Sequence, residues 1–290
     1  MNKFFKFILL LILSFLIIFY SKDISNSIIS VFDTWKYSVF PSLFPFLIIS
    51  KIFMNYGFNF KLFNINPNYS FVFFMSLISG FPSSSKYIKE LVDNDVISLE
   101  EGNNLILFTH FASPAFILVT LCSNFLNNPS CGFLILFSHY IGNLIILFFI
   151  DFKKYNVKKY SISPKSFSNV LGDSIRDTLN TLFLILGTLV TYSIVVTFIN
   201  KLPISLYYKS ILSGLIELTS GLKNVSLLDI SLRLKVSICS FLLSFGGFAI
   251  HTQVISILKI NYKRYFIFRV FHGFLSFLIS YFLFNLIYHL

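Results

Sequence analysis

Apolar runs of bilayer-spanning length alternate along this chain with short polar interruptions. Runs at residues 4–20, 35–54, 99–121, 132–150, 178–199, 236–258 and 265–290 each hold about the 20 residues that a helix needs to cross hydrocarbon. Two shorter apolar pieces end at Gly80 and Gly221. Glycine, proline and serine punctuate the pattern where apolar character is otherwise highest: SGFPSSSK at 79–86, FASPAF at 111–116, LTSG at 218–221 and SFGGFA at 244–249. Such punctuation inside a membrane segment predicts a broken helix rather than a continuous rod.

The interruptions fall into two matching series. Asp33 and Asp173 stand 140 positions apart, each at the amphiphilic start of a long run, and Gly80 and Gly221 stand 141 apart. Each series then has a later helix with a second interruption. The reading is an all-α polytopic membrane protein of two repeats, each with a re-entrant helical hairpin and an interrupted transmembrane helix. Residues 1–30 form an anchor helix, 31–152 the first repeat, 153–168 a basic linker and 169–290 the second repeat. The first apolar run is followed by SKDIS rather than by a small-residue cleavage motif, so it is expected to stay as an anchor.

Charge sets the expected topology. Residues 151–165, DFKKYNVKKYSISPK, carry five lysines against one aspartate and are expected on the cytoplasmic side. That placement agrees with an inside N-terminus only if the piece ending at Gly80 re-enters the membrane and returns. The two repeats then face opposite ways, so the predicted repeats are inverted, and broken helices at corresponding positions of inverted halves point to a transporter site.

Composition narrows the class. With 56% hydrophobic, 19% aromatic and only 12% charged residues, the chain holds more apolar surface than a soluble domain buries. The formal charge of +11 is spread between apolar runs rather than gathered on one face, which argues against nucleic acid as a partner. Cys122, Cys131 and Cys239 have neither metal-ligand spacing nor an even disulfide set. No metal, cofactor or catalytic constellation of base, nucleophile and orienting group is expected, nor a glycine-rich ATP loop, so the protein is read as a non-enzyme.

The candidate substrate-binding residues are those of the breaks. A half-helix start at mid-membrane offers backbone N–H groups with partial positive charge, suited to an anion. The first break supplies Ser79, Gly80, Pro82, Ser83, Ser84 and Lys86, with Pro82 expected in the first helical turn. The second supplies Ser113 and Pro114, the third Glu217, Thr219, Ser220 and Gly221, and the fourth Gly246, Gly247, His251 and Gln253. For Lys86 the alternative is an anchor at the interface. For His251 and Gln253 it is a polar pair that satisfies backbone freed by the break. His110 is expected to pair with a neighbouring helix, and His139, His272 and His289 to serve packing.

An ordered set of blocks carries a resemblance: PSLFPFLIIS (41–50), SGFPSSSK (79–86), FTHFASPAFI (108–117), SHYIGN (138–143), DTLNTLFLILG (177–187), ELTSG (217–221), FGGFAIHTQVISIL (245–258) and RVFHG (269–273). From about Trp35 to the C-terminus the chain resembles the YlbJ/SpoVV-type sporulation integral membrane family, whose halves are similar to the Gate domain of concentrative nucleoside transporters. The chain departs from that family where Ser84 replaces a usual glycine and where His110 and Phe111 replace an asparagine pair. The resemblance implies a multi-pass protein of the outer forespore membrane of a spore-forming bacterium that moves dipicolinate, a planar aromatic dianion, toward the forespore. Phe81 and Phe116 would face its ring. Its partners would be that anion and the bilayer, and a homo-oligomer is compatible with the reading. The rivals are a carrier of nucleosides or other small solutes and a non-transporting assembly protein of the spore envelope.

Overall fold

A computed structural model describes residues 3–56, 66–150 and 166–288, and all regular structure within them is helical. The basic segment at 151–165 and His289 lie outside the described residues.

The first part of the chain runs α1 (Lys3–Phe19), α2 (Ser21–Thr34), a π-helical stretch (Trp35–Val39) and α3 (Phe40–Tyr56). From Ser21 to Tyr56 the helix is continuous, so the span expected to begin at residue 35 starts a full helix earlier. Hydropathy misses α2 because Asp23, Asn26, Ser27, Ser30 and Thr34 face a polar cavity, while Ile24 and Val31 are buried. The π stretch lies just before Pro41, where the missing amide would interrupt the regular ladder.

Next come α4 (Pro67–Ser79), α5 (Ser83–Asp93), α6 (Leu99–Phe108), a second π-helical stretch (Phe116–Phe125) and α7 (Cys131–Leu147). Local chemistry marks their starts. Asn66 accepts the Asn68 amide with Pro67 following it, and Ser98 with Glu101 forms a reciprocal capping box.

The second part holds the long α8 (Phe167–Lys201), then α9 (Leu206–Ile216), α10 (Leu218–Ser226), α11 (Leu232–Phe245), α12 (Gly247–Ile257) and the long α13 (Tyr262–Tyr288). Among the described residues four helical stretches are long and apolar enough to cross a membrane: Ser21–Tyr56, Phe167–Lys201, Leu232–Ile257 and Tyr262–Leu286. Large apolar side chains stand exposed on α1, α7, α8 and α13, such as Phe15, Phe133, Phe183 and Phe282. In water such an array would drive association; in a bilayer it is the ordinary outer surface.

Packing divides the molecule into two bodies. The larger core joins α4 to α7 with α10 to α13, and its centre holds fully buried Leu134, Ile135, Val236, Leu242 and Leu243. The smaller core joins α2, the first π stretch, α3 and α8 through Val31, Val39, Leu43, Leu47, Leu182, Ile185 and Leu189. The seam between the two bodies is where the cavities lie.

Candidate functional site

Each predicted interruption is a real break, with one displaced. The chain leaves helical geometry at residues 80–82, 109–113, 217 and 246. Gly80 adopts φ 71°, ψ −179°, a conformation open essentially to glycine alone, and Gly246 is left-handed at φ 92°. Pro82 is the N-cap of α5 rather than a residue of its first turn, and the three serines that follow are all buried.

Gly221 is not a break, contrary to the sequence-based expectation. It sits inside α10, where a β-carbon would fall 2.0 Å from the Gly214 Cα of α9, so its role is close helix approach. The interruption falls at Glu217, whose side chain accepts the amides of Thr219 (2.8 Å) and Ser220 (2.7 Å) and thereby caps α10 itself. The start of this half-helix is therefore already occupied by a carboxylate, and the expectation of bare amides there is corrected: one side chain satisfies both orphan donors.

The breaks meet. The Phe81 amide donates to Phe111 O at 2.6 Å, joining the first to the second. A β-carbon on Gly246 would lie 2.8 Å from His110 Nε2, and one on Gly247 3.2 Å from the Leu218 amide. The second thus touches the fourth, and the fourth touches the third. Phe81 stacks on the His110 ring at 4.9 Å between centroids.

A buried polar network holds the second break in place. Backbone freed there must find partners inside the protein. Asn143 donates to His110 O (2.8 Å), and the Ala112 amide donates to His139 Nε2 (2.9 Å). That bond leaves the His139 proton on Nδ1, which donates to Ser244 Oγ at 2.7 Å. His272 donates from Nε2 to His139 O (2.8 Å), so its Nδ1 accepts from Arg269 Nη1 (3.1 Å). Arg269 is fully buried and also donates from Nη2 to Leu107 O, at the C-terminal end of α6 where carbonyls are unpaired and the helix dipole favours a cation. His110 pairs with Tyr265 through Nδ1 at 3.0 Å. Arg269 and Tyr265 were not picked out from the sequence. RVFHG was visible as a block, yet nothing in it reveals that the guanidinium caps a helix 160 residues away.

Three cavities lie in line along the seam. A vestibule of about 500 Å³ is lined by polar side chains of α2, α8 and α10, among them Asp23, Asn26, Asn200, Lys201, Glu217 and Ser220. An inner cavity of about 40 Å³ is lined by Phe81, Ser113, Phe116, Glu217, Thr219 and Gln253 against Leu43, Ile185 and Leu189. A third void of about 10 Å³ adjoins the start of α5, with Ser83, Lys86 and Thr181 in its wall. Leu189, Glu217 and Thr219 face both vestibule and inner cavity.

The predicted residues distribute accordingly. Ser113, Glu217, Thr219 and Gln253 line the inner cavity, and Gln253 donates to Thr188 Oγ1 of α8 at 2.6 Å. Ser220 faces the vestibule alone, while Ser83 and Lys86 face the third void. Ser79 is turned to Tyr87, whose hydroxyl donates to it at 3.0 Å. Buried Ser84 lines none of these cavities, nor does Pro114. His251 is buried and bonds Phe245 O through Nε2 at 3.0 Å, closing the C-terminal end of α11. Gly80, Gly246 and Gly247 shape the backbone rather than the lining.

Comparison with known proteins then places the chain. It is 28% identical over 296 residues to the sporulation integral membrane protein YlbJ of Bacillus subtilis (strain 168), an alignment covering 82% of this chain and 72% of that relative. This chain is a homologue of YlbJ. It is an integral, multi-pass membrane protein, as its exposed apolar helices require. No family model matches it, and no solved structure matches it.

Proposed function

We propose that this YlbJ homologue is a secondary carrier of sporulation that moves a small aromatic organic acid of the dipicolinate type across a membrane through the seam between its two packed bodies. The observation that carries the reading is the alignment of the three cavities along α8. From Thr181 at the third void to Lys201 at the vestibule, α8 rises about 30 Å, the thickness of a bilayer's hydrocarbon core. Four helix breaks meet beside the middle of that line, and irregular backbone at membrane depth is tolerated only where protein buries it or a cavity adjoins it.

On this reading α4–α5 and α9–α10 are re-entrant hairpins and α6 and α11–α12 begin the interrupted spans of two inverted repeats. Alternating access is a rocking of the body containing α2, α3 and α8 against the rest, a motion suited to a seam with separate cores on either side. The conformation described here is wide at the vestibule and nearly closed at the start of α5. Phe81 and Phe116 give the inner cavity aromatic walls, and Ser113, Thr219 and Gln253 give it hydrogen-bonding groups.

One observation favours a second reading, a carrier of a neutral heterocyclic solute such as a nucleoside: among the described residues the ionisable side chain lining the inner cavity is the acid Glu217, and no basic side chain lines it. Proteoliposomes carrying the pure protein decide between them. Uptake of labelled dipicolinate above that of protein-free liposomes, unaffected by excess uridine, is the expected result. Uridine flux without dipicolinate flux selects the second reading, and no flux of either removes both.

A further inference from the structure

The void at the start of α5 has features that cargo passage through the inner cavity does not explain. Its wall holds two hydroxyls, Ser83 Oγ and Thr178 Oγ1, each on a residue only 1% exposed and each making no hydrogen bond of ordinary geometry among the described residues. The Tyr87 hydroxyl stands beside Ser83 but is bonded to Ser79, and the Asp177 carboxylate is in the same wall. Buried hydroxyls left unpaired are costly and uncommon. Two ammonium groups share the same wall. Lys51 is neutralised, at 3.2 Å from Glu90 and 2.9 Å from Asp177. Lys86 is not: its Nζ donates to the Asp177 backbone carbonyl at 3.2 Å and to Thr181 Oγ1, and among the described residues no carboxylate lies within ion-pair distance of it. A half-buried cation held by neutral oxygens, beside two buried hydroxyls whose hydrogen-bonding capacity is unused, at the N-terminal end of a helix, is a constellation suited to an anionic oxygen.

We propose that this cluster is a carboxylate subsite, with Lys86 as its cation and Ser83 and Thr178 as its hydroxyl donors. The inference rests on the carrier reading and makes its cargo an acid. The void of about 10 Å³ admits one oxygen. A whole carboxylate enters once the Lys86 ammonium leaves the Asp177 carbonyl and turns to the ligand. The inner cavity lies one helical turn away: Leu43 and Ile185 line it, while Leu47 and Thr181 line the subsite. That offset is about 6 Å along either helix. One small aromatic acid can therefore keep its ring between Phe81 and Phe116 and reach Lys86 with a carboxylate. The basic charge that the inner cavity lacks is supplied here.

The test is equilibrium binding to the full-length protein in nanodiscs, with dipicolinate as the anionic probe and its neutral diol analogue, pyridine-2,6-dimethanol, as control. Wild type is expected to bind dipicolinate saturably. Lys86→Gln weakens that binding about tenfold or more, the size of a lost charge-assisted hydrogen bond, and Lys86→Arg keeps it within about threefold because the charge stays. Ser83→Ala and Thr178→Val each weaken it by a smaller factor, and Lys86→Gln leaves diol binding unchanged. An unaltered melting temperature of Lys86→Gln shows that the fold is intact. The subsite is overturned by absence of saturable dipicolinate binding to wild type, by an unchanged Kd in Lys86→Gln, or by equal weakening in the Gln and Arg variants. Flux is scored separately. Wild-type flux with Lys86-independent binding rejects the subsite and leaves the carrier standing, whereas Lys86-dependent binding without flux supports the subsite and removes the carrier.

Discussion

Gly80 and Ser113 meet backbone to backbone: a β-carbon on Gly80 would stand 2.5 Å from the Ser113 amide nitrogen. The first two breaks are locked at this point, and the Phe81 amide bonded to Phe111 O closes the same junction.

Gly80→Ala therefore meets two penalties, a backbone conformation reserved for glycine and a direct overlap with main chain that cannot move aside. The conformational part alone costs about 1–3 kcal/mol. A clear drop in the melting temperature of the detergent-solubilised protein is expected, with flux falling in parallel. A melting temperature equal to wild type would show that the contact between the two breaks is not made.

Arg269 is a fully buried cation that holds the end of α6 and sets the tautomer of His272. Arg269→Ala strips the Leu107 carbonyl and the His272 ring of their donor and leaves a void. A loss of about 3 kcal/mol or more is expected in denaturation, of the size seen when a buried charged network loses one member. Arg269→Lys retains the charge but not the two-armed reach, and falls between Ala and wild type.

Glu217 caps α10 with both carboxylate oxygens. Glu217→Ala is expected to destabilise by about 1–2 kcal/mol, as for other lost N-caps. Glu217→Gln keeps one acceptor and loses less. Stability measured for the pair tests the cap: equal losses would mean that the amides of Thr219 and Ser220 are satisfied some other way.

The three cavities differ in width, and cysteine labelling can read the difference. Cys122, Cys131 and Cys239 are all buried, so the native background should be slow. A cysteine at Thr197, in the vestibule wall, should react quickly with a small water-soluble maleimide, and one at Thr181, beside the closed end, slowly. Similar rates at both positions would contradict a path closed at the start of α5.

Four of the seven expected apolar spans and three of the four break positions were legible in the sequence because they rest on local rules: membrane-length apolar runs, and glycine or proline where a helix must stop. Trp35 was misread as the start of a span because α2 turns a polar face to a cavity, and a hydropathy pattern cannot tell water inside a protein from water outside. Gly221 was misread as a break because a glycine for close helix approach has the same letter as one for a turn. Glu217, four residues earlier in the same ELTSG block, was named as a site candidate, yet its capping of its own helix is a matter of φ and ψ at residue 217.

The sequence by itself determined that this chain lives in a membrane and that its helices are interrupted where glycine, proline and serine gather, since length, hydropathy and backbone freedom are properties of neighbours along the chain. Only the tertiary structure decided that those interruptions touch one another, that Arg269 closes α6, that Glu217 occupies the start of α10 and that Lys86 faces α8. These contacts join residues from 2 to more than 160 positions apart, and which groups meet is fixed by the backbone conformation at each break and by how helices distant in the chain pack together rather than by the run of neighbouring letters.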